Sequence, residues 1–230
     1  MPDTYSITIH NASNNPEEFF LFHAVPKPAE IPSPDIFSNV YLKSPQILGD
    51  GTSSVTFQTS NEYYAIYGTS VQSTDGKVRV GTSDYQPVKL GPHGSYFVLK
   101  AAEDGLSPQR DQAASAGKTT EVPGAFTIET DSSFRYPNPS NSYFGIGAKD
   151  PSTDEVVPVQ TYPAKPAEVS QLFPKPKYYI ASGSNQPGSI IETMKIGNEA
   201  TFTLDSKGQY VPGKMVTGSG IIWSFGPPGH

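Results

Sequence analysis

Short apolar runs of strand length, each ended by turn-forming residues, recur along the whole chain. In residues 5–10 the side chains of Tyr5, Ile7 and Ile9 alternate with polar ones, which is the pattern of a strand with one buried face. Similar runs follow, separated by Asp-Gly and Gly-Pro pairs that favour turns. The sequence predicts further strands over residues 18–25, 37–43, 54–59, 63–67, 77–80, 95–100, 125–129, 143–148, 156–161, 178–182, 190–195, 200–204 and 221–225.

The near absence of helical periodicity determines the predicted fold class. Parallel α/β architectures would need amphipathic helices between strands, so we expect an all-β protein with an antiparallel β-sandwich and at most one short helix. Residues 101–124 have low β-propensity and no apolar stripe, which indicates a linker or long loop. Pro108 could open the short helix there, because proline is tolerated at the first helical position.

The linker or loop of residues 101–124 also predicts the domain organisation. Residues 1–100 are expected to form one β-sandwich half and residues 125–230 a second, similar half, with residues 101–124 between them. The chain length allows two domains, and it equally allows one large domain that contains both halves. Composition does not decide between these alternatives.

The charge balance argues against two classes of partner. The chain has 16 Lys and Arg against 22 Asp and Glu, a net charge of -6, so we expect no cationic surface for nucleic acid or anionic lipid. No apolar stretch approaches the roughly 18 to 20 residues that cross a bilayer. The sequence therefore predicts neither nucleic-acid nor membrane partners.

Metal and cofactor chemistry find little support in the sequence. The chain has no cysteine, which excludes disulfides and thiolate metal sites. If residues 5–10 and 18–25 form a hairpin, His10 and His23 lie roughly 13 Å apart, too far to share a metal. We find no nucleophile elbow or phosphate-binding loop, and the adjacent carboxylates Asp154 and Glu155 are interpreted as solvated. No metal and no cofactor are predicted.

The compartment is predicted from what the sequence lacks at its start. No basic segment followed by an apolar one precedes the first predicted strand, so we expect a cytoplasmic protein. Asn11-Ala12-Ser13 matches the acceptor pattern for N-glycosylation, which leaves open the alternative of a secreted chain whose signal has been removed.

One loop combines the residue types that ligand sites use. Aromatic rings, one guanidinium and amides occur together between two stretches of strand pattern, and prolines stiffen the segment. Rings stack on sugars or planar metabolites, amides and guanidinium supply directed hydrogen bonds, and a stiff loop loses less entropy on binding. The candidate ligand-binding residues are Phe134, Arg135, Tyr136, Asn141 and Tyr143. We expect Phe134, Arg135, Tyr136 and Tyr143 to lie on one accessible surface.

Three motifs carry a resemblance to a known group. Residues 37–41, 63–70 and 85–88 resemble uncharacterised cytosolic β-rich proteins found mainly in filamentous fungi. The resemblance is mostly N-terminal. It implies a fungal, intracellular, β-rich protein, and it assigns no activity and no site residue.

Three functional hypotheses follow. The leading one is a non-catalytic β-sandwich that binds a small molecule, a glycan or a protein partner through its end loops. An alternative is a cofactor-independent isomerase or cyclase acting on an apolar metabolite, which would need an enclosed apolar cavity with a carboxylate or histidine. A third is a structural protein that forms homo-oligomers through exposed strand edges.

Overall fold

The computed structural model describes residues 4–11, 13–23, 36–72, 74, 78–103, 107–137, 141–174, 177–191, 200–204, 210–212 and 221–225, with side chains up to residue 191. Strands predominate, as the sequence predicted. The elements are β1 (Thr4–Asn11), β2 (Phe19–His23), β3 (Phe37–Lys43), β4 (Ser54–Ser60), β5 (Tyr63–Gln72), β6 (Val78–Pro87), β7 (Tyr96–Ala101), β8 (Pro108–Asp111), α1 (Gln112–Ser115), β9 (Phe126–Thr130), β10 (Ser142–Lys149), β11 (Val156–Pro163), β12 (Val169–Leu172), β13 (Lys177–Ser182), β14 (Ile190–Ile191), β15 (Ala200–Leu204), β16 (Tyr210–Pro212) and β17 (Ile221–Phe225).

The strands form three sheets that pack as a sandwich-like all-β fold. The largest has the order β16-β15-β13-β2-β3-β11-β10-β5-β6, with β14 also paired to β3. The second has the order β12-β9-β7-β8 and the third β17-β1-β4. Pairing is antiparallel except between β7 and β9. In the large sheet, groups of strands from before residue 100 alternate with groups of strands from after residue 125. The predicted domain boundaries stay a prediction.

The larger of two apolar clusters in the described residues lies among the three sheets. Ile9 from the three-stranded sheet, Leu99 from the four-stranded sheet and Leu21 from the large sheet are all fully buried in it. On β2 the neighbouring Phe20 and Phe22 point the other way, into a second cluster with Val40. Strand β2 is therefore covered on both faces, which explains why its sequence is a continuous apolar run instead of an alternating one.

The predicted pairing of the first two strands is wrong. Strand β1 pairs with β4 and β17, whereas β2 pairs with β3 and β13. The backbones of Asn11 and Glu17 bond to Ser53 and Ile47 instead of to each other's strands. His10 and His23 consequently lie in different sheets.

The large sheet curls until its edge strand β6 returns to β3. Residues 188–191 lie between the two strands: the Val80 amide donates to the carbonyl of Gly188 at 3.1 Å, and the Gly188 amide donates to the carbonyl of Val40 at 2.8 Å. Strand β14 continues the contact by pairing with β3. Strands β3, β11, β10, β5 and β6 and this segment therefore form a closed ring.

A bulge at Ser83 of β6, opposite Tyr67 and Gly68 of β5, supports the curvature. The register between β5 and β6 shifts at Tyr67 and Gly68, and a Cβ atom on Gly68 would lie 2.0 Å from the carbonyl oxygen of Gly81. Only glycine allows this approach of two backbones. Strand β6 extends beyond the predicted residues 77–80 because Gly81 continues the pairing instead of ending it.

The predicted short helix exists but begins later than expected. Residues 108–111 form strand β8, paired with β7, and α1 starts at Gln112. The Asp111 carboxylate accepts the Ala114 amide at 2.9 Å, so Asp111 and not Pro108 sets the start of the helix. Proline fits the first position of β8, an edge strand. Residues 192–195, in the last part of one predicted strand, lie outside the described residues.

Candidate functional site

An open groove of about 620 Å³ lies beside the closed ring of strands. One wall consists of residues 79–85 of β6, and another consists of residues 154–158, which lead into β11. Val71, Pro187 and Gly188 complete the lining. A second void in the described part, inside the ring near Ile66, leaves no room for a water molecule, so the ring interior there is packed.

The turn between β10 and β11 holds the second wall in place. Asp150 accepts hydrogen bonds from the Ser152 amide at 2.8 Å and from the Ser152 hydroxyl at 2.6 Å. The Asp154 amide donates to the Asp150 carbonyl at 2.8 Å, and Lys149 forms an ion pair with Asp154 at 2.6 Å. The hydrogen bond to Asp154 raises the pKa of Lys149. The side chains of the turn therefore hold the backbone that leads to Glu155.

Tyr85 presents an aromatic ring at the groove. Its side chain is 46% exposed, among the most exposed large apolar residues of the described chain. The ring of Tyr64 meets it edge to face, with the centroids 5.5 Å apart and the planes at 90°. Burial, followed by the charge of Glu62, raises the pKa of Tyr64, so this phenol is neutral at physiological pH. An edge-to-face partner restrains the orientation of the exposed ring.

Asp84 is a carboxylate of the groove wall that the core holds in place. The hydroxyl of the buried Tyr67 donates to its Oδ2 at 2.5 Å, and the Tyr85 amide donates to its Oδ1 at 2.8 Å. Burial, and then the bond to Asp84, raise the pKa of Tyr67. Gln86, on the same strand, accepts from Arg110 at 3.4 Å, and Arg110 lies over the ring of Phe97.

Two charged groups of the groove are left available. Arg79 and Glu155 are exposed, and neither side chain forms a hydrogen bond or an ion pair within the described residues. The hydroxyl oxygen of Thr82 is buried and has no hydrogen-bond partner in the same part of the chain. The lining of the groove therefore contains a free donor group at Arg79, a free acceptor group at Glu155 and the exposed ring of Tyr85.

The structure separates the five residues that the sequence analysis grouped. Phe134 is 3% exposed and belongs to the main core, so the expectation that its ring is accessible is wrong. Arg135 and Tyr136 are exposed, and the Lys165 ammonium lies 5.2 Å from the centre of the Tyr136 ring. This part of the loop presents one accessible aromatic ring.

The other two predicted residues lie beyond the undescribed residues 138–140. Asn141 is exposed with φ of 47°, and its carbonyl accepts the Ser70 amide at 3.0 Å. Tyr143 is half-buried in β10, where its ring contacts that of Phe37. None of the five predicted residues lines the groove, and whether they bind a ligand stays a prediction.

The groove was missed because its residues come from three separate segments. Residues 79–85, 154–158 and 187–188 meet only after the large sheet has curled, and periodicity reports a strand's faces but not its curvature. One signal was present: β6 carries Tyr85 in an otherwise polar stretch. An aromatic side chain at a position that alternation assigns to solvent is a weak indicator of binding.

The buried histidine His23 does not line the groove. His23 is 4% exposed, and the rings of Tyr41, Tyr63 and Tyr178 surround its imidazole edge-on with centroids at 5.4, 6.2 and 4.6 Å. Its carbonyl accepts the hydroxyl of Ser38 at 2.9 Å. In the described residues this histidine is part of the packed interior between strands and not of the groove.

The described helix is far too short to span a membrane, and no other helix in that part of the chain could do so. Comparison with curated proteins and with solved structures gave no match to this chain. The model of one protein family, RhiA, matches residues 2–210, well beyond the N-terminal motifs that resemble fungal proteins. A fungal origin stays a prediction. Because the match covers nearly the whole sequence, the chain belongs to the RhiA family.

Proposed function

We propose that this protein is a non-catalytic binding module that holds a small polar molecule in the groove between β6 and β11. The observation that carries the proposal is the open cavity of about 620 Å³ in which Arg79, Glu155 and the ring of Tyr85 are available. Sites for small ligands have volumes of about 300–1,000 Å³ and contain a few directed polar groups.

The charge states of the groove support binding over proton transfer. A general acid or base works best with a pKa near the operating pH. Three groups that contact residues of the groove wall have pKa values displaced upward from ordinary values that are already basic: Lys149 by its bond to Asp154, and Tyr64 and Tyr67 by burial. All three keep one protonation state near neutral pH, which suits a binding site.

The alternatives have less support. An isomerase or cyclase for an apolar metabolite would need an enclosed cavity, whereas the groove is open and charged. Self-association through the edge of β6 is disfavoured, because residues 188–189 already pair with that edge. Within the described residues these two findings favour a binding module.

The test is a ligand-observed NMR screen with a defined library of amino acids, organic acids, nucleosides and neutral sugars. The decisive variant is Tyr85→Ala. Its control is Tyr136→Ala, since Tyr136 is 52% exposed and lies outside the groove. We expect at least one compound to bind the wild type and Tyr136→Ala equally and to bind Tyr85→Ala about tenfold more weakly or not at all.

Two results would count against the proposal. One is that no compound in the library binds the folded wild-type protein. The other is that affinity falls with Tyr136→Ala and survives Tyr85→Ala, which would move the site to the loop of residues 134–143. Circular dichroism of both variants verifies that each has kept the fold.

A further inference from the structure

We infer that the ligand of the groove is a neutral saccharide that stacks on Tyr85 and is hydrogen-bonded by Arg79 and Glu155. The inference rests on the proposed function and names the class of ligand. It is argued from the aromatic ring, from the balance of free charges and from the types of hydrogen-bonding group that the groove presents.

The ring of Tyr85 is a suitable surface for one face of a sugar. A pyranose has an apolar face of C–H groups, which packs on an aromatic ring. Tyr64 holds the ring of Tyr85 from the side at 90° and leaves it 46% exposed. A ring that is already oriented loses little conformational freedom when a ligand stacks on it.

The free charges favour a ligand without net charge. Arg79 contributes one positive charge and Glu155 one negative charge, and neither has a partner among the described residues. Asp154 is already paired with Lys149, and Asp84 already accepts the hydroxyl of Tyr67. An anion would meet the carboxylates of the groove wall, and a cation would meet the guanidinium of Arg79.

The mixture of polar groups also fits hydroxyls. Arg79 only donates, Glu155 only accepts when ionised, and the hydroxyl of the exposed Ser83 can do both. Each sugar hydroxyl can donate one hydrogen bond and accept others, so adjacent hydroxyls use both kinds of partner. Charged groups form stronger hydrogen bonds than neutral ones, which favours Arg79 and Glu155 as the anchoring pair.

The experiment is isothermal titration calorimetry with three sets of probes. The first set is neutral: the tetrasaccharides of β1,4-linked glucose, α1,4-linked glucose, β1,4-linked mannose and β1,4-linked xylose. The second set is zwitterionic, glycine and phenylalanine. The third is anionic, α1,4-linked tetragalacturonate. We expect binding of at least one neutral tetrasaccharide and about tenfold weaker binding of the other two sets.

Variants then test the assigned roles. Tyr85→Phe keeps the ring and should bind within about threefold of wild type, whereas Tyr85→Ala should lose about tenfold. Glu155→Gln should weaken binding severalfold because a charged acceptor is lost. Its matched control is Glu168→Gln, an exposed glutamate outside the groove, which should leave affinity unchanged.

The outcomes separate the inference from the proposed function. If only the zwitterions or the anion bind, and Tyr85→Ala abolishes that binding, the saccharide inference is wrong and the binding groove stands. If a neutral tetrasaccharide binds with the same affinity to wild type, Tyr85→Ala and Glu155→Gln, the groove is not its site and the inference is overturned. If no probe binds, the saccharide inference is wrong. The NMR screen then decides whether the groove binds another kind of ligand.

Discussion

At the scale of single residues, Asn11 shows how a polar side chain fixes a chain reversal. Its side chain is fully buried, and its amide donates to the carbonyls of Asn15 at 2.8 Å and Ile47 at 3.0 Å. Its oxygen accepts from the amide and the hydroxyl of Ser13. In the folded protein the Asn11 side chain of the N-glycosylation pattern thus has a structural role, because its amide nitrogen is buried and donates both of its hydrogen bonds.

We expect Asn11→Asp to destabilise the fold by about 2–3 kcal/mol, because it removes both donors, leaves the buried carbonyl of Ile47 without this partner and buries a carboxylate among carbonyls. The free energy of unfolding from urea titration measures the effect. Asn14→Asp is the matched control, since Asn14 is exposed, and it should change stability by less than about 0.5 kcal/mol. Equal stability of Asn11→Asp and wild type would contradict this account of the loop.

At the scale of secondary-structure elements, the bulge in β6 opposite Gly68 and the covering segment at residues 188–191 give β6 its position. The groove wall is a consequence of that position, because residues 79–85 would otherwise form an ordinary sheet edge. Gly68 and Gly81 differ in the space that the fold leaves for a Cβ atom. A Cβ on Gly68 would lie 2.0 Å from a backbone oxygen, whereas one on Gly81 would lie 3.6 Å from the nearest atom.

Gly68→Ala should therefore lower the free energy of unfolding by roughly 2–4 kcal/mol, since the backbone of β6 has to move. Gly81→Ala should cost little, because its Cβ makes only an ordinary contact. Thermal melts of the two variants measure the contrast. A Gly68→Ala variant as stable as Gly81→Ala would show that the close approach does not constrain β5 and β6.

At the scale of the whole molecule, the sequence predicted the class of fold well and the arrangement poorly. The alternation around Ile7 and Ile9 predicted a strand with a buried face, and both side chains are fully buried. Alternation carries no information on partners, so β1 was assigned to β2 although it pairs with β4 and β17. Phe134 was expected at the surface because its neighbours are polar, yet its own ring is part of the core.

Stability should fall at low pH through carboxylates that the fold hydrogen-bonds. The amides of Ser53 and Thr52 lower the pKa of Asp50 from 3.8 to about 2. The Ala114 amide and Lys100 lower the pKa of Asp111, and Lys118 and Tyr96 lower that of Glu129. Because the folded pKa values are lower than the unfolded ones, this stabilisation is present above the unfolded values and is lost as the pH falls through the folded ones.

Asp50→Asn tests the pH dependence at one position. The amide oxygen still accepts the two backbone bonds but does not titrate, so the decrease in stability between pH 3.8 and about 2 should be smaller than in wild type. Urea titrations at a series of pH values give the slope. An unchanged slope in this interval would mean that Asp50 does not contribute to it.

The central claim is that the groove between β6 and β11 is the ligand site, and amide chemical-shift mapping tests it most directly. The wild-type protein is titrated with the tightest-binding compound from the NMR library or the calorimetric panel. The account predicts shifts concentrated at residues 79–85, 154–158 and 188, with little change at residues 134–136 and 141–143. Shifts concentrated at residues 134–143 with none along β6 would contradict it.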